Sequence, residues 1–366
     1  MAPWGGLLRV RVLLLACVVS LQLAAVSRCA DFSYSSFSDV SRLSLAGVAN
    51  RTGDRLRLTP ARRGVAGAAW HAVKASVEGG FSADFAFRAF TEPGAAPEQI
   101  SPCRVVENLE ELCERRGGDG IAFVVHNAPS ATAALGGDGA ALGYAGLSNA
   151  LAVELDTWFD ADAMDPYQNH LAVHTAGRGQ LSAHHHEAIG STVRIPDLAD
   201  GLTHFVRVNY DAEFHPVATT HPAFKAAPQV GRIASGEAST PGRGRGPLGI
   251  LSIFVDDLSE PVLIVPVNLA ATLELDNGRA WMGFTASTGE AVQNHEVLHW
   301  SVREQFSMAM ANSARAGEGV RADFDAPPDR AYGHTGQAFA VRGTSENDAN
   351  ATSWYDGDDQ DNQTAL

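Results

Sequence analysis

Five segments of the chain alternate apolar with polar or small residues at a period of two. They are residues 81–90, 204–210, 250–255, 280–285 and 297–302. Each run is short and is bounded by Gly, Asn, Asp or Pro, which is typical of antiparallel strands that bury one face. Since no helical pattern separates them, we predict an all-β fold, an antiparallel sandwich of the jelly-roll type.

Two segments interrupt this pattern. Residues 213–247 carry five prolines and several Gly-Arg pairs between two predicted strands, which indicates a long surface insertion. Beyond residue 305 the alternation ends and ten acidic residues face four arginines, so residues 306–366 are predicted to form a disordered acidic tail. The folded domain is therefore predicted to span residues 31–305.

The N-terminal segment has the pattern of an export signal. Arg9 and Arg11 precede an apolar run over residues 12–26 that ends in small residues. The run is shorter than the ~20 residues that a spanning helix needs, which favours a removed signal peptide over a membrane anchor. We predict that residues 1–30 are cleaved and that the mature chain, without a membrane span, is secreted or lies in the lumen of the secretory pathway.

Cys103 and Cys113 are the cysteines that remain beyond the predicted signal region. In an exported chain their spacing favours a local disulfide, and zinc binding is disfavoured because no CxxC or nearby histidine accompanies them. Sequons at Asn50, Asn350 and Asn362 are compatible with a glycoprotein.

The charge balance narrows the class of partner. The chain carries 42 Asp and Glu against 27 Lys and Arg, a formal net charge of −15. Such a chain is a poor match for nucleic acid, because phosphate binding needs clustered cations. It suits a protein that holds divalent cations.

An acidic loop follows the predicted strand that ends near residue 156. Side chains two apart on a strand share a face, so Glu154 and Asp156 point the same way. Asp160, Asp162, Asp165 and His170 follow within a short distance along the chain. Hard carboxylate oxygens suit calcium, and a set that adds an imidazole suits manganese or another transition-metal ion. The alternative is a solvated acidic loop without metal.

The same residues resemble the double-metal motif of the L-type, or legume, lectins. The spacing is Glu-x-Asp-x-aromatic-x-Asp-x4-Asp-Pro-x3-His, beginning at Glu154. Residues 118–124 resemble the family's strand with the sugar-binding aspartate, 142–158 its glycine loop and metal strand, and 277–300 its last strand pair and specificity loop. The resemblance covers about residues 31–303 and is nearer to bacterial and algal-style members than to seed lectins. It implies a concanavalin-like sandwich.

The resemblance also implies roles for individual residues. The transition-metal site falls to Glu154, Asp156, Asp165 and His170, and the calcium site to Asp156, Asp165, Asp160 and the carbonyl of Trp158. The sugar site falls to Asp119, Asp160, the Trp158 ring, a backbone amide near Gly137–Gly139 or Gly143, and Thr288 and Gly289 of the specificity loop. The expected partners are glycans or glycoproteins, and a homo-oligomer is left open.

Two positions depart from the family pattern. Family members usually carry Asn where Asp160 stands, and a carboxylate cannot donate to a sugar as an amide does. The sugar-binding aspartate usually follows Ala through a cis peptide bond, whereas Gly118 precedes Asp119 here. We expect the cis bond to be kept.

Several other residues have a structural interpretation. The run His184–His186 is predicted to be an exposed polar turn rather than a metal site. His174 lies four residues after His170 on a strand and could share its face as an extra ligand. Trp281 and Trp300 are predicted to be core residues.

Two other classes of protein are alternatives. Retaining glycoside hydrolases of similar fold carry Glu-x-Asp-x-x-Glu on one strand, which supplies two carboxylates at the ~5–5.5 Å separation their chemistry requires. Here Phe159 stands in place of the second glutamate, so we predict that the protein is not an enzyme. A glycoprotein-sorting or adhesion receptor is the other alternative.

Overall fold

The computed structural model of the protein describes residues 32–91, 117–225 and 248–304. The predicted signal peptide, Cys103 and Cys113, residues 226–247 of the insertion and the acidic tail lie outside these ranges. No helix in the described residues is long and apolar enough to cross a membrane. The described ranges form two antiparallel sheets, one short α-helix, α1 (Leu269–Thr272), and four 3-10 turns.

The first sheet, which we call the back sheet, contains β1 (Phe32–Tyr34), β3 (Asn50–Thr52), β4 (Arg55–Thr59), β7 (Phe81–Phe90), β12 (His204–Asp211), β13 (Gly249–Val255), β14 (Leu263–Val267) and β16 (Asn294–Glu304). The second, the front sheet, contains β2 (Leu43–Gly47), β5 (Val65–His71), β6 (Ala75–Ser76), β8 (Gly120–His126), β9 (Ala150–Asp156), β10 (His170–Thr175), β11 (Ala188–Thr192) and β15 (Arg279–Thr288).

Each sheet combines a run of consecutive strands with strands from distant parts of the chain. The back sheet runs β14-β13-β12-β7-β16-β4-β3, with β1 also paired to β16. The front sheet runs β11-β10-β9-β8-β15-β5-β2, with β6 also paired to β15. The all-β sandwich predicted from the alternation is confirmed, and each of the five predicted segments lies within a strand.

The main core fills the space between the sheets. Phe85 of the back sheet meets Phe123 and Phe284 of the front sheet, and the fully buried Trp300 packs against Phe284. Their rings supply most of the large apolar surface that stabilises a two-layer sandwich. The prediction that Trp300 is a core residue is confirmed.

A second core lies on the outer face of the front sheet, beneath the loops that cross it. Leu142 and Tyr144 of those loops pack on Trp70, and the Trp70 indole N–H donates to the Ala134 carbonyl at 2.8 Å. The strand residues on this face are mainly alanines such as Ala152, and their small side chains let the loops approach closely. As a result β8 and β9 are buried on both faces, and every residue in them is buried.

Two sequence predictions change in detail. Trp281 is half-exposed and lies under the Lys74 ammonium at 4.0 Å, because the period of two turns it away from its buried neighbours Ala280 and Met282. The insertion follows β12, as predicted, but its first part is packed rather than free. Phe224 pairs in parallel with Ile264 of β14.

Candidate metal centre and binding pocket

Strands β9 and β10 carry the candidate metal ligands on their outer faces. Leu155 points into the main core, so Glu154 and Asp156 on either side point outward, to the face covered by loops. His170 pairs directly with Asp156 across the two strands, and Ala172 with Glu154. The pleat therefore brings two carboxylates and one imidazole together at the end of the front sheet.

The loop between β9 and β10 is closed by its own side chains. The Asp160 amide donates to Asp165 Oδ2 at 2.7 Å, and the Asp165 amide donates back to the Asp160 carbonyl at 3.2 Å. Asp160 Oδ1 accepts from the amides of Asp162 and Ala163. The Trp158 amide donates to Asp156 Oδ1 at 2.7 Å. These bonds fold the loop back so that Asp165 is buried beside the end of the strand.

The resulting cluster has the composition of a metal centre. Glu154, Asp156 and His170 are buried, and each offers one ligand atom within 4.8 Å of the others. Within the ranges that the structure describes, no lysine or arginine forms an ion pair with Glu154, Asp156 or Asp165. Burying carboxylates without a cation is costly, so this donor set fits an external metal ion.

Neighbouring groups orient these ligands. The Tyr144 hydroxyl donates a short hydrogen bond to Glu154 Oε2. His170 Nδ1 lies 2.8 Å from the Tyr167 carbonyl, which can only accept, so Nδ1 carries a proton and Nε2 of the neutral ring holds a lone pair. That Nε2 is buried, lies 3.2 Å from Glu154 Oε1 and has no hydrogen bond of regular geometry. An unpartnered, buried nitrogen with a fixed tautomer fits a metal ligand.

The electrostatics of the cluster follow from this crowding. Burial, followed by the charges of Glu154 and Asp165, raises the pKa of Asp156 well above its usual value. Burial also raises the pKa of Asp165 to about 6, against a hydrogen bond from the Asp160 amide. Burial opposes ionisation of Glu154, but the His174 and His170 imidazoles hold its pKa below the usual value. Without a metal ion, Glu154 is thus favoured as an anion, whereas Asp156 and Asp165 favour the protonated form. A bound cation would favour ionisation of all three.

Two further histidines lie at this cluster. His174 is buried on the same face as His170, as the sequence suggested, and its Nε2 is 3.5 Å from Glu154 Oε1. The prediction of an exposed turn at residues 184–186 is right for His186, whereas His184 and His185 are half-buried. The ring of His185 lies 5.4 Å from that of His170, and burial, reinforced by the charges of His170 and His174, lowers its pKa to about 4. The three consecutive histidines are visible in the sequence, but only the fold shows that His185 is the one beside the cluster.

Asp119 is buried directly before β8, which pairs with the metal strand β9. Its carbonyl accepts from the Thr157 amide at 2.8 Å, and its Oδ2 is buried without a hydrogen-bond partner. Burial raises the pKa of Asp119 to about 7, against a hydrogen bond from the Gly289 amide, with further increases from Asp160 and other acids. A buried carboxylate oxygen that lacks a partner is ready to accept a hydrogen bond from a ligand.

The expected cis peptide bond before Asp119 is wrong. The described residues contain no cis bond, and Asp119 instead adopts a left-handed conformation with φ 44°. The chain passes so close to its neighbours here that a Cβ on Gly118 would lie 2.7 Å from the Gln293 amide nitrogen. Glycine and the positive φ together aim the Asp119 side chain without a cis bond.

The glycine loop is held on the front sheet by hydroxyls of β15. Thr285 Oγ1 donates to the Leu142 carbonyl at 2.8 Å, and Ser287 Oγ to the Gly139 carbonyl at 2.6 Å. The amides of Gly137 and Gly143, both predicted as sugar donors, hydrogen-bond instead to the carbonyls of Ala145 and Gly137. They are engaged within the loop.

Gly139 is better placed than these two glycines to face a ligand. A Cβ built on Gly289 would lie 3.1 Å from the Gly139 Cα and 3.0 Å from Asp119 Oδ2, so the three residues meet at one point. Thr288, by contrast, is fully buried, and its hydroxyl donates a hydrogen bond to the Arg62 carbonyl. It therefore stabilises the loop around Gly289. Trp158 is half-buried at the start of the metal loop.

Comparison with known proteins identifies the fold family. A model of the legume lectin domain matches residues 29–317. An L-type lectin-domain containing receptor kinase of Oryza sativa subsp. japonica is 28% identical over 198 residues, 50% of this chain and 24% of the kinase, so the match spans about a quarter of that relative.

Many solved structures are similar to the chain, and two of them serve as examples. They are the lectin from Bauhinia forficata in complex with GalNAc (18% identity, TM-score 0.49, 76% of this chain and 100% of that one) and the exoplasmic/lumenal domain of VIP36 in its Ca2+/Man3GlcNAc-bound form (14%, 0.47, 75% and 88%). Since the family model covers well over half of the residues, the chain belongs to the legume lectin family.

Proposed function

We infer that the protein is a calcium-dependent carbohydrate-binding protein whose metal ions prepare the site rather than react. The transition-metal ion would be held by Glu154, Asp156, Asp165 and His170. Calcium would be held by Asp156, Asp160, Asp165 and the carbonyl of Trp158. Carboxylate oxygens suit calcium, and the added imidazole suits a transition-metal ion.

One observation carries this proposal more than any other. Glu154, Asp156 and Asp165 are buried together, and in the described part of the chain they lack a lysine or arginine partner. Structural ion-pair networks include their own cations, whereas a metal centre leaves that place to an ion. Legume lectin membership supports the same interpretation.

The sugar site would use the residues that meet above the metal loop. Asp119 Oδ2 would accept from a sugar hydroxyl, the Gly139 amide would donate to one, and the Trp158 ring would pack on the sugar's C–H face. The bound ions would neutralise the acids around Asp119 and fix the loop at Asp160, which lowers the ordering cost of binding.

The cellular context is part of the proposal. Export follows from the signal-like residues 1–30, and a bridge between Cys103 and Cys113 follows from export. Both segments lie outside the described residues. Finding two free thiols in the non-reduced, denatured protein would contradict the bridge.

A glycan array with and without EDTA tests the proposal. We expect binding that EDTA abolishes and calcium restores, and about two metal ions per chain in protein purified without chelators. Asp119→Ala should weaken binding by roughly tenfold to 150-fold, because it removes a charge-assisted hydrogen bond worth ~1.5–3 kcal/mol.

Asp162→Ala is the matched control, since Asp162 is an exposed acid of the same loop. It should leave both binding and metal content unchanged. Full glycan binding by Asp119→Ala would place the sugar site elsewhere. Fewer than one bound ion per chain in the wild-type protein would rule out the metal assignment.

A further inference from the structure

His185 lies against the metal cluster although it comes from a different part of the chain. It begins a short turn, His185–Glu187, in the connection between β10 and β11. Its amide donates to the Ala163 carbonyl at 2.8 Å, which ties this turn to the metal loop. Asp165, His170 and His185 each offer a ligand atom within 4.8 Å of the others.

The two imidazoles have complementary hydrogen bonding. His170 uses Nδ1 for the Tyr167 carbonyl, and its buried Nε2 has no hydrogen bond of normal geometry. His185 places Nε2 3.3 Å from Ser191 Oγ, and its own Nδ1 is buried without a partner. Each ring is therefore anchored through one nitrogen. The Tyr167 carbonyl fixes the tautomer of neutral His170, and His185 Nδ1 presents a lone pair when its Nε2 donates to Ser191 Oγ.

We propose that His185 is a direct protein ligand of the transition-metal site, and that the second imidazole makes this site prefer zinc over manganese. The proposal rests on the function inferred above, and it goes further by naming the ligand and the metal. Imidazole suits zinc and related borderline ions, whereas manganese is held mainly by carboxylates, carbonyls and water. With His185, the ligand set assigned above gains a second imidazole beside its carboxylates, and this change favours zinc.

The turn offers a matched control for this role. His186 is the next residue and is exposed, with its Nε2 3.3 Å from Glu187 Oε1. Removing it alters the same turn without touching the metal cluster. His185→Gln keeps a polar side chain of similar length, so it serves as a second variant if His185→Ala folds poorly.

For the experiment, the full chain is stripped of metal, saturated with calcium and dialysed against graded concentrations of zinc or manganese. Elemental analysis then measures the bound metal. Zinc outcompetes manganese at most nitrogen and oxygen sites, so the wild-type preference alone decides nothing. The test is therefore how much each substitution changes the affinities for zinc and for manganese. His185→Ala and His185→Gln should weaken zinc binding by about tenfold to 100-fold and manganese binding by less than about threefold, while His186→Ala changes neither.

X-ray absorption at the zinc edge gives a readout independent of affinity. It should count two imidazoles in the wild-type protein and one in His185→Ala. An unchanged imidazole count, or equal losses of zinc and manganese affinity, would overturn the assignment of His185.

Glycan binding separates this proposal from the function it rests on. With calcium and excess metal, the wild-type protein and the His186→Ala control should bind glycans equally well. If no protein binds glycans but the zinc results hold, the carbohydrate function fails and the metal site stands. If glycans bind and the zinc results fail, only the role of His185 is lost.

Discussion

The two sheets of this sandwich both bury carboxylates on their outer faces, but they neutralise them differently. On the back sheet Asp84 pairs with Arg207 at 2.5 Å and Arg303 at 2.7 Å. Glu296 pairs in the same way with Arg57 at 2.6 Å. On the front sheet the corresponding buried acids, Glu154 and Asp156, have imidazoles but no arginine or lysine as basic neighbours in the described residues.

This difference separates a structural charge from a functional one. A buried carboxylate that pairs with arginines is neutralised within the chain, and its removal affects folding. A buried anion without such a partner is complete only when something outside the chain binds. The loops that cover the front sheet add to the contrast, because they keep water from solvating its acids. The back sheet, where β12 alternates buried and half-buried residues, has no such cover over that strand.

Matched Asp→Asn substitutions on the two sheets should therefore have opposite effects, and these are the largest we expect. In metal-free protein Asp84→Asn should lower the free energy of unfolding by about 3 to 5 kcal/mol, because it leaves the largely buried Arg207 without its anion. Asp156→Asn should be neutral or stabilising, since it relieves repulsion from Glu154.

Denaturant unfolding measures the stabilities, and elemental analysis of the purified proteins measures metal content. Asp84→Asn should keep its metals and Asp156→Asn should lose them. Loss of metal in Asp84→Asn, or strong destabilisation of metal-free Asp156→Asn, would contradict the comparison.

The second prediction uses pH to sharpen the same point at Asp119. Its pKa is raised from 3.8 to about 7 by burial, so between these values the folded state keeps a proton that the unfolded state has lost. The stability of metal-free protein should then fall as pH rises from about 4 to about 7 on account of this group. The amide of the Asp119→Asn variant mimics the protonated carboxyl, so this variant does not lose stability in this pH range.

The stabilisation of metal-free protein by Asp119→Asn should grow by on the order of 3 kcal/mol between pH 4.5 and pH 8, as measured by denaturant unfolding. Calcium should abolish most of this gain, because a nearby cation favours the ionised form. Asp162→Asn, at an exposed position, is the control for general charge effects. If the stabilisation by Asp119→Asn did not depend on pH, the pKa of Asp119 would not be raised in the folded protein.

The third prediction concerns hydroxyls on the two sheets and is smaller. Thr285→Val keeps the shape of a fully buried side chain but leaves the Leu142 carbonyl without its donor, which should cost about 1 kcal/mol of stability. Glycan affinity should fall a few-fold, because the glycine loop that carries Gly139 loses an anchor. Ser301→Ala on the back sheet should change stability by less than about 0.5 kcal/mol. Thermal unfolding and glycan titration measure both effects.

The sequence predicted the features of the fold that depend on local pattern. A period of two located β7 and β16, and the Glu154 and Asp156 spacing placed two carboxylates on one face. It could not show that this face is buried, since the cover comes from loops, such as the one with Tyr144, whose packing on the sheet depends on the tertiary structure.

The missed details likewise depend on tertiary contacts. His185 reaches the metal cluster through the connection after β10, where a bulge near His174 shifts the pairing with β11. Whether an amide of the glycine loop is free depends on how that loop closes on itself. The conformation at Asp119 depends on the backbone that packs against Gly118.

The last prediction is for no effect at all: the front-sheet acids should not hydrolyse glycosidic bonds. In metal-free protein the raised pKa values of Asp156 and Asp165 beside an ionised Glu154 resemble the paired carboxyls of a hydrolase. Metal binding would hold all three ionised and share their lone pairs, which makes them poor proton donors to a leaving oxygen. Phe159 stands where the second catalytic glutamate of related hydrolases would be.

Incubation with β-glucans, xylans, galactans and mannans, in calcium with manganese or zinc, should release no reducing ends above a metal-stripped control. The metal-stripped protein should be equally inactive, because without its ions the loop at Asp160 no longer holds a sugar over these acids. Turnover that Glu154→Gln abolishes would mean that the unpaired acids of the front sheet serve catalysis. The contrast between the sheets would then mark an active site instead of a metal-dependent binding site.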